Sequence, residues 1–284
     1  MIKVDNLNYT YSNNHSETVK NISFTIPKGS VFGFLGPSGA GKTTTQKLIT
    51  GLLKDYRGNI LVDGKERREW DNSFYENIGV VFEFPNLYLK LTGHENLKLF
   101  GSYYKKQAGD IIENLKKTGI YEAMDKKVEE FSKGMKVRLN FVRALVHDPG
   151  ILFLDEPISG LDPTNGMIVK NMIEDMRDKG KTVFLTTHNM TVAEELCDNV
   201  AFIVDGRLPV IDTPGNLMVK YGKDELDIEY FENDNIKKLR FSLSDVGEND
   251  AFQEILRDKK IRSIHTREAS LEEIFIKVTG RGLE

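Results

Sequence analysis

The chain has 284 residues, of which 39% are hydrophobic and 29% are charged, and its formal net charge is -4. This length fits one large domain with a small appendage, and the composition excludes a disordered or collagen-like chain. Acidic and basic residues are interspersed, so no basic stripe is available to bind the phosphates of a nucleic acid. We therefore expect a folded globular protein with no nucleic-acid partner.

The cysteine usage and the N-terminus bear on location. Cys197 is the single cysteine and cannot form an internal disulfide, which fits a reducing compartment and a small buried hydrophobe rather than a nucleophile. The N-terminal MIKVDNLNYTYSNN lacks the basic-then-apolar pattern of a signal peptide, and no apolar run approaches the ~20 residues that span a bilayer. The sequence predicts a cytoplasmic protein whose membrane role is peripheral.

The first thirty residues alternate apolar and polar side chains in NLNYTY and again in NISFTI. A period of two predicts half-buried strands, here an antiparallel β layer around a polar loop at 12–17. The short apolar run VFGFLG then leads into a glycine-rich stretch and a helix-forming segment at 42–52. These segments indicate a buried strand, a loop and a helix.

Further apolar segments predict strands at NILVD, IGVVF, ILFLD, TVFLTT and VAFIVD, with helical patterns between most of them. Alternating strands and helices predict a mostly parallel sheet. Residues from about 92 to 147 are instead helical in pattern and charge-rich. We expect this segment to form a helical subdomain inserted between strands of the sheet.

The character of the chain changes after TPGNLMVKYG. ELDIEYF, KLRFSL and KIRSIHT predict strands, whereas DAFQEILRDK and SLEEIFIKVTG predict helices, giving the order β-β-α-β-α. Ser270 and Glu273 have the spacing of a helix capping box. We therefore predict a main domain over 1–220 and a small α+β accessory domain over 221–284.

A complete phosphate-loop motif follows the VFGFLG strand and precedes the helix. It fits G-x-x-x-x-G-K-[ST] over Gly36, Pro37, Ser38, Gly39, Ala40, Gly41, Lys42 and Thr43. Glycines let backbone N–H groups surround phosphate oxygens, Lys42 can reach the outer phosphates, and the Thr43 hydroxyl can bind Mg²⁺. An ordinary glycine-rich turn is the competing interpretation, and the full motif in its required context disfavours it.

Two acids end the strand ILFLD, and a histidine ends TVFLTT. Side chains at the ends of parallel strands face the phosphate loop, so Asp155 suits Mg²⁺ and Glu156 suits a general base for water. An exposed acidic turn is the alternative for the pair. His188 is interpreted as a γ-phosphate contact rather than as a structural histidine.

With these residues in place, the first 220 positions or so resemble the ATP-binding cassette (ABC) family. The resemblance implies an α/β fold with a phosphate-loop NTPase core, ATP and Mg²⁺ as ligands, and Thr44 among the nucleotide contacts. It places Tyr11 where an aromatic ring stacks on adenine, with Tyr9 as a competitor. Glu83 stands where the family usually has glutamine, so it is expected beside the metal and the nucleotide, where its negative charge can weaken nucleotide binding.

Two more segments match motifs that the family uses across a dimer. Phe131-Ser-Lys-Gly-Met135 resembles the signature usually written LSGGQ, and Ser132 is also a possible helix N-cap. The resemblance implies that Ser132 and Gly134 of one copy face the γ-phosphate held by another copy. Asp162 lies in a segment that resembles the D-loop at the same interface. The SKGM form resembles a subset of bacterial exporter ATPases for peptides, antibiotics and other amphiphiles.

The resemblance implies a transport ATPase that works with a membrane-spanning permease on a separate chain, at the inner face of the cell membrane. The chain carries one cassette, so a homodimer or a heterodimer with a homologue is expected, and the sequence leaves both open. A soluble regulatory or maintenance ATPase is the alternative function. A nucleotide sensor without hydrolysis is disfavoured because Lys42, Asp155, Glu156 and His188 are all present.

Overall fold

A computed structural model describes residues 1–12, 16–106, 110–222, 225–233, 235–267 and 269–282. The chain divides into two compact units, Met1–Thr213 and Pro214–Arg281. The division falls before the predicted boundary at residue 220, because the helix Pro214–Tyr221 packs against the last helix of the second unit. There, Lys277 Nζ donates to the Tyr221 carbonyl at 3.2 Å. Part of the polar loop expected at 12–17, residues 13–15, lies outside the described residues.

The first unit contains the strands and helices expected of an α/β protein. Its strands are β1 (Ile2–Tyr9), β2 (Val19–Ile26), β3 (Val31–Leu35), β4 (Arg57–Val62), β5 (Lys65–Glu66), β6 (Ile78–Val81), β7 (Ile151–Asp155), β8 (Thr182–Thr187), β9 (Asn199–Val204) and β10 (Arg207–Asp212). Its helices are α1 (Lys42–Thr50), α2 (Gly93–Gly101), α3 (Ile111–Lys117), α4 (Lys133–Ala144), α5 (Pro163–Asp178) and α6 (Met190–Leu196).

An antiparallel sheet with the order β2-β1-β4-β5 forms one layer of this unit. The alternating N-terminal segments therefore fold as predicted, with Ile2 opposite Ile26 in β2 and opposite Val62 in β4. The segment NILVD was expected in the parallel sheet, and this expectation was wrong. Its alternating burial, with Ile60 and Val62 buried and Asn59 exposed, suits a sheet packed on one face only.

The central sheet has the order β10-β9-β3-β8-β7-β6, in which β10 alone is antiparallel to its neighbour among the described strands. Strands β3, β7 and β8 are buried at every position, as parallel strands covered on both faces must be. Phe24 of β2 lies 5.5 Å from the ring of Phe32 and 5.3 Å from that of Phe34. These rings join the two sheets into one core, and each contributes roughly 1.5–3 kcal/mol by burial.

The helical subdomain lies between β6 and β7, as predicted, and contains α2, α3 and α4. Thr92 caps α2 in a reciprocal capping box with Glu95. Both α2 and α3 pack on α4. The insertion therefore separates two adjacent strands of the central sheet and begins at the residue where the charge-rich segment was expected to start.

The second unit has helices α7 (Pro214–Tyr221), α8 (Asp250–Asp258) and α9 (Leu271–Thr279), and strands β11 (Glu225–Glu232), β12 (Asn235–Ser242) and β13 (Lys260–Thr266). The antiparallel sheet order is β12-β11-β13, and its core contains Ile228, Tyr230 and Phe252. The capping box predicted for Ser270 and Glu273 is present with both hydrogen bonds. From β11 to α9 the order of elements agrees with the predicted β-β-α-β-α, whereas helix α7, which precedes them, was not predicted.

Candidate active site

The phosphate loop connects β3 to α1 at the carboxyl edge of the central sheet. Gly39 and Gly41 have φ values of +78° and +111°, a region that glycine adopts without strain. A Cβ built on Gly36 would lie 2.2 Å from the Ile203 carbonyl oxygen, so no larger residue fits there. No side chain caps α1, which leaves its first N–H groups available to an anion.

Lys42 is the first residue of α1 and is only 8% exposed. Its Nζ donates to the Gly36 carbonyl at 2.6 Å and to the Pro37 carbonyl at 3.1 Å, and it lies 3.9 Å from Glu156 Oε1. Burial lowers the pKa of this ammonium, and the carboxylates of Glu156, Asp155 and Glu83 oppose the shift. The side chain is thus a buried cation held over the loop before any phosphate binds.

Asp155 is the last residue of β7, and its carboxylate is buried. Thr43 Oγ1 donates to its Oδ2 at 3.2 Å, and Thr186 Oγ1 donates to Oδ1. Thr186 was not among the predicted site residues. It reaches Asp155 because β7 and β8 pair in a register that sets these two residues side by side.

Glu156 follows the strand with a φ of +47°, which is uncommon for a residue with a side chain. Its Oε2 accepts a hydrogen bond from Thr187 Oγ1 at 2.9 Å. Its Oε1 accepts from the His188 backbone N–H at 2.9 Å and lies 2.7 Å from His188 Nδ1. The carboxylate is therefore held on both oxygens, and Thr187 is a second contributor that the sequence analysis missed.

These side chains surround a cavity of about 220 Å³. Its lining residues are Ser38, Gly39, Gly41, Lys42, Thr43, Thr44, Glu83, Asp155, Glu156 and His188. The cavity brings five residues of the predicted loop together with Asp155, Glu156, His188 and Glu83. The other predicted loop residues, Gly36, Pro37 and Ala40, are not part of its lining. The His188 side chain is 52% exposed, so it forms the open side of this cavity.

Two tyrosines were candidates for stacking on a base. Tyr9 is buried in the core of the antiparallel layer, whereas Tyr11 is half-buried beside α1. A hydrogen bond of 3.1 Å joins Tyr11 Oη to Thr44 Oγ1, and the two tyrosine rings meet edge to face at 4.9 Å. Tyr11 is therefore the tyrosine next to the phosphate-loop helix, although it does not line the cavity itself.

The signature and D-loop residues lie outside the cavity lining within this chain. Ser132 caps α4, because its Oγ accepts from the Met135 N–H at 3.2 Å. Asp162 caps α5 by accepting from the Asn165 N–H at 3.0 Å. A Cβ built on Gly134 would lie 2.7 Å from the Asn165 side chain, so the starts of the two helices are in close contact.

The oxygen groups around Asp155 fit Mg²⁺, which binds one or two carboxylates together with substrate phosphates and water. Asp155 is buried and already bonded to the Thr43 hydroxyl, and Glu83 lines the same cavity. Within the described ranges there is no group of three or more His, Cys, Asp or Glu that could hold a metal. A magnesium ion held by these groups would take its remaining ligands from phosphate oxygens and water.

Comparison with known proteins identifies the family. A model described as "ABC transporter" matches residues 19–159. The fluoroquinolones export ATP-binding protein MT2762 of Mycobacterium tuberculosis (strain CDC 1551 / Oshkosh) is 44% identical over 284 residues, covering 100% of this chain and 94% of that protein. This chain belongs to the ABC transporter family.

Other matches of this ABC protein extend the comparison. A model described as "Fluoroquinolone efflux ABC transporter C-terminal domain" matches residues 226–268. The linearmycin resistance ATP-binding protein LnrL of Bacillus subtilis (strain 168) is 31% identical over 314 aligned residues, covering 100% of this chain and 99% of that protein. The dimeric post-hydrolysis structure of the cassette MJ0796 bound to ADP and Pi has a TM-score of 0.67 at 27% identity, covering 75% of this chain and 98% of that one.

The predicted family, fold and activity are thereby confirmed: this ABC subunit binds and hydrolyses ATP to power transport through a separate permease. In the part of the chain that the structure describes, no helix has both the length and the apolar character needed to cross a membrane. The roles of individual site residues remain predictions, and their positions now support specific assignments.

Proposed function

We propose that this ABC subunit hydrolyses Mg-ATP in a site shared by two cassettes and energises the export of an amphiphilic antibiotic of the fluoroquinolone class. The observation that carries the proposal is the convergence of Lys42, Asp155, Glu156 and His188 on one cavity, while Ser132 and Gly134 lie outside it. The first four residues supply the groups that hold and activate a nucleotide. Ser132 and Gly134 lie at the start of α4, where they can contact a nucleotide bound by a second cassette.

Each residue around the cavity has a role in this proposal. Lys42 and the loop N–H groups hold the outer phosphates, and the ring of Tyr11 stacks on the adenine base of ATP. Thr43 and Asp155 would hold Mg²⁺, with Glu83 as a further oxygen ligand, directly or through water. When bound, the ion neutralises charge on the phosphate oxygens.

Glu156 accepts the proton of the attacking water at one of its carboxylate oxygens. Both oxygens already have hydrogen-bond partners, so the carboxylate is held in place before the water arrives. His188 lies on the open side of the cavity, where its ring can contact the γ-phosphate while its Nδ1 stays near Glu156. The strained backbone of Glu156, at a φ of +47°, is consistent with a group placed for chemistry.

The shared site makes a direct prediction about assembly. Changing Glu156 to glutamine removes the base but keeps the shape, and should slow the chemical step by roughly 10²- to 10⁴-fold. A dimer closed around ATP should then accumulate. Size-exclusion chromatography of this variant is expected to show a dimer with Mg-ATP and mainly a monomer with Mg-ADP.

Adding Ser132→Arg to that variant should prevent the ATP-dependent dimer, because the arginine would stand at the start of α4 that faces the second nucleotide. If the Glu156→Gln protein binds ATP and stays monomeric, this chain pairs with a homologue or needs the permease. If Ser132→Arg leaves dimer formation unchanged, the signature segment lies outside the nucleotide interface and the shared-site assignment is wrong.

A groove of about 610 Å³ is the proposed docking site for the permease at the inner face of the membrane. It is lined by apolar and aromatic side chains that include Leu87, Tyr88, Phe100 and Tyr104. Tyr88 is 50% exposed and the nearby Phe84 is 74% exposed, which is unusual for large apolar residues. Leu87→Asp or Tyr88→Asp should weaken co-purification with the permease while soluble ATPase activity is largely retained.

The substrate class rests on the 44% identity to a fluoroquinolones export protein and on the matching C-terminal domain. Cells lacking this chain should become more sensitive to fluoroquinolones, and the wild-type chain should restore resistance whereas Lys42→Ala should not. Restored resistance to a lantibiotic or to linearmycin alone would reassign the substrate. If purification of the tagged chain from its native cells recovers no permease, the alternative function of a soluble maintenance ATPase would be favoured instead.

A further inference from the structure

The proposed docking groove has one charged side chain in an otherwise uncharged lining. Arg143, in the last turn of α4, lines the groove. The other described residues of the lining have apolar, aromatic, hydroxyl or amide side chains, and none of them is an acid or a second base. A single cation in a largely apolar wall sets a condition on the segment that fills the groove.

The Arg143 guanidinium is buried and has few partners. The residue is 8% exposed, its Nη1 donates to the Asn86 carbonyl at 2.9 Å, and its guanidinium carbon lies 4.6 Å from the centre of the Phe100 ring. A guanidinium has five N–H donors, so Nε and Nη2 are left without a hydrogen-bond acceptor among the described residues. Burial lowers the pKa of Arg143 and Tyr104 opposes the shift, with no carboxylate of the described residues contributing.

Filling the groove changes the surroundings of this cation. In the free subunit, solvent in the groove can hydrate the unpaired N–H groups. A segment seated there displaces that water, and removing an ionised group from water without a partner is strongly unfavourable. Arginine cannot avoid this cost by releasing its proton, since its guanidinium stays charged at neutral pH. The segment therefore has to supply an acceptor, and a carboxylate both accepts the hydrogen bonds and neutralises the charge.

The position of Arg143 favours a pair enclosed by the interface rather than one at its rim. Its two contacts, Asn86 and Phe100, line the same groove, and Asn86 precedes Leu87 and Tyr88, the residues proposed to contact the permease. The edge formed by Nε and Nη2 matches the two oxygens of a carboxylate. Affinity depends most on charged pairs of this kind, which are surrounded by contacts that exclude water.

We propose that the permease segment seated in this groove carries an aspartate or glutamate whose carboxylate pairs with Arg143. The inference rests on the proposed docking function of the groove and adds the chemistry of its occupant, an apolar segment with an acid at one position. A segment with a basic or an apolar residue at that position would leave the buried cation unpaired. The pair therefore also selects which permeases this subunit can serve.

A charge-reversal cycle tests the pairing. The permease that co-purifies with the unchanged chain is identified, purified in detergent micelles, and titrated against the immobilised full-length chain by biolayer interferometry. Arg143→Glu should weaken binding about a hundredfold, because two carboxylates would then face each other. Each aspartate and glutamate in the cytoplasmic segments of the permease is next changed to lysine. One such change should weaken binding to the unchanged chain similarly and bring binding to Arg143→Glu within about tenfold of normal.

Matched variants separate the charge from the fold. Arg143→Met should weaken binding at least about tenfold, since it leaves the carboxylate of the permease unpaired. Arg138, on the same helix, bonds to the Gly134 and Thr118 carbonyls and does not line the groove, so Arg138→Met should change permease affinity by less than about twofold. Thermal unfolding identifies any variant that fails to fold. The lysine scan of the permease leaves this chain unchanged, so its effect on the unchanged chain can be measured even if every Arg143 variant unfolds.

Two results would overturn the proposal. One is a folded Arg143→Met chain that binds the permease as tightly as the unchanged chain. The other is a lysine scan in which no acid of the permease affects binding or rescues Arg143→Glu, which would mean that backbone carbonyls or water satisfy the guanidinium. Failure of the docking site itself has a different signature, because Leu87→Asp would then leave permease affinity unchanged as well.

Discussion

Thr187 offers a sharp test of how the carboxylate of Glu156, the proposed general base, is held. Its Oγ1 donates to Glu156 Oε2 at 2.9 Å and accepts from the Asn189 N–H at 3.0 Å. Valine has nearly the same shape and lacks the hydroxyl, so Thr187→Val removes both bonds without opening a large cavity. The other carboxylate oxygen keeps its contacts with His188.

The size of the effect follows from these contacts. A hydrogen bond to a charged group contributes roughly 1.5–3 kcal/mol. Because Glu156 Oε1 remains held by His188, the loss should lie at the low end, about 1.5 kcal/mol, which corresponds to about a tenfold lower kcat. KM should change little, since Thr187 does not line the nucleotide cavity. The unpaired Asn189 N–H should lower stability separately, by roughly 1 kcal/mol.

The assay is phosphate release at saturating Mg-ATP, with thermal unfolding measured in parallel. Thr187→Ser retains the hydroxyl and is the matched control, expected within about twofold of the unchanged chain. A valine variant with near-normal kcat would refute the idea that this hydroxyl holds the base. A serine variant as slow as valine would show that packing, rather than the hydrogen bond, is responsible.

Three further predictions concern other parts of the chain. Lys42→Ala should reduce phosphate release to background while the protein stays folded, and near-normal turnover would contradict the site assignment. Cys197 is buried, and burial raises the pKa of its thiol, so this cysteine should resist alkylation at mildly alkaline pH until the protein is unfolded in urea. Rapid labelling of the native protein would contradict the buried position of the thiol. Hydrogen bonds from Arg240 and Lys238 lower the pKa of Asp227 from 3.8 to about 2, so the stability that this carboxylate contributes is present at neutral pH and is lost as pH falls from about 4 to about 2. Asp227→Asn should flatten this part of the profile of stability against pH, measured by thermal unfolding, and an unchanged slope would argue against the pairing.

The sequence predicted those parts of the site that are encoded by contiguous residues. The phosphate loop is one unbroken motif between a strand and a helix, and Asp155 and Glu156 are adjacent at the end of an apolar run. Thr186 and Thr187 escaped prediction because their contribution depends on the pairing of β7 with β8, which places Asp155 beside Thr186. The register in which two distant strands pair cannot be predicted from the sequence of either strand alone.

The fold shows the same distinction between local and distant information. The alternation in NILVD indicated a strand correctly, but its partner β1 is more than fifty positions earlier, so local periodicity could not assign it to the antiparallel sheet. Strand β10 was missed since it alternates half-buried and exposed residues and contains a proline, Pro209. In the second unit the elements from β11 to α9 were predicted, because each has a clear period and α9 has a capping box, whereas α7 was not predicted.

The close contact between Gly134 and Asn165 constrains how this protein can vary. Any side chain at position 134 would meet Asn165 at 2.7 Å, so the residue there can grow only if position 165 shrinks or moves. In a saturation library selected for resistance, we expect substitutions at these two positions to be tolerated as pairs rather than singly. The starts of α4 and α5 would therefore vary together, with a change in one selecting a matching change in the other.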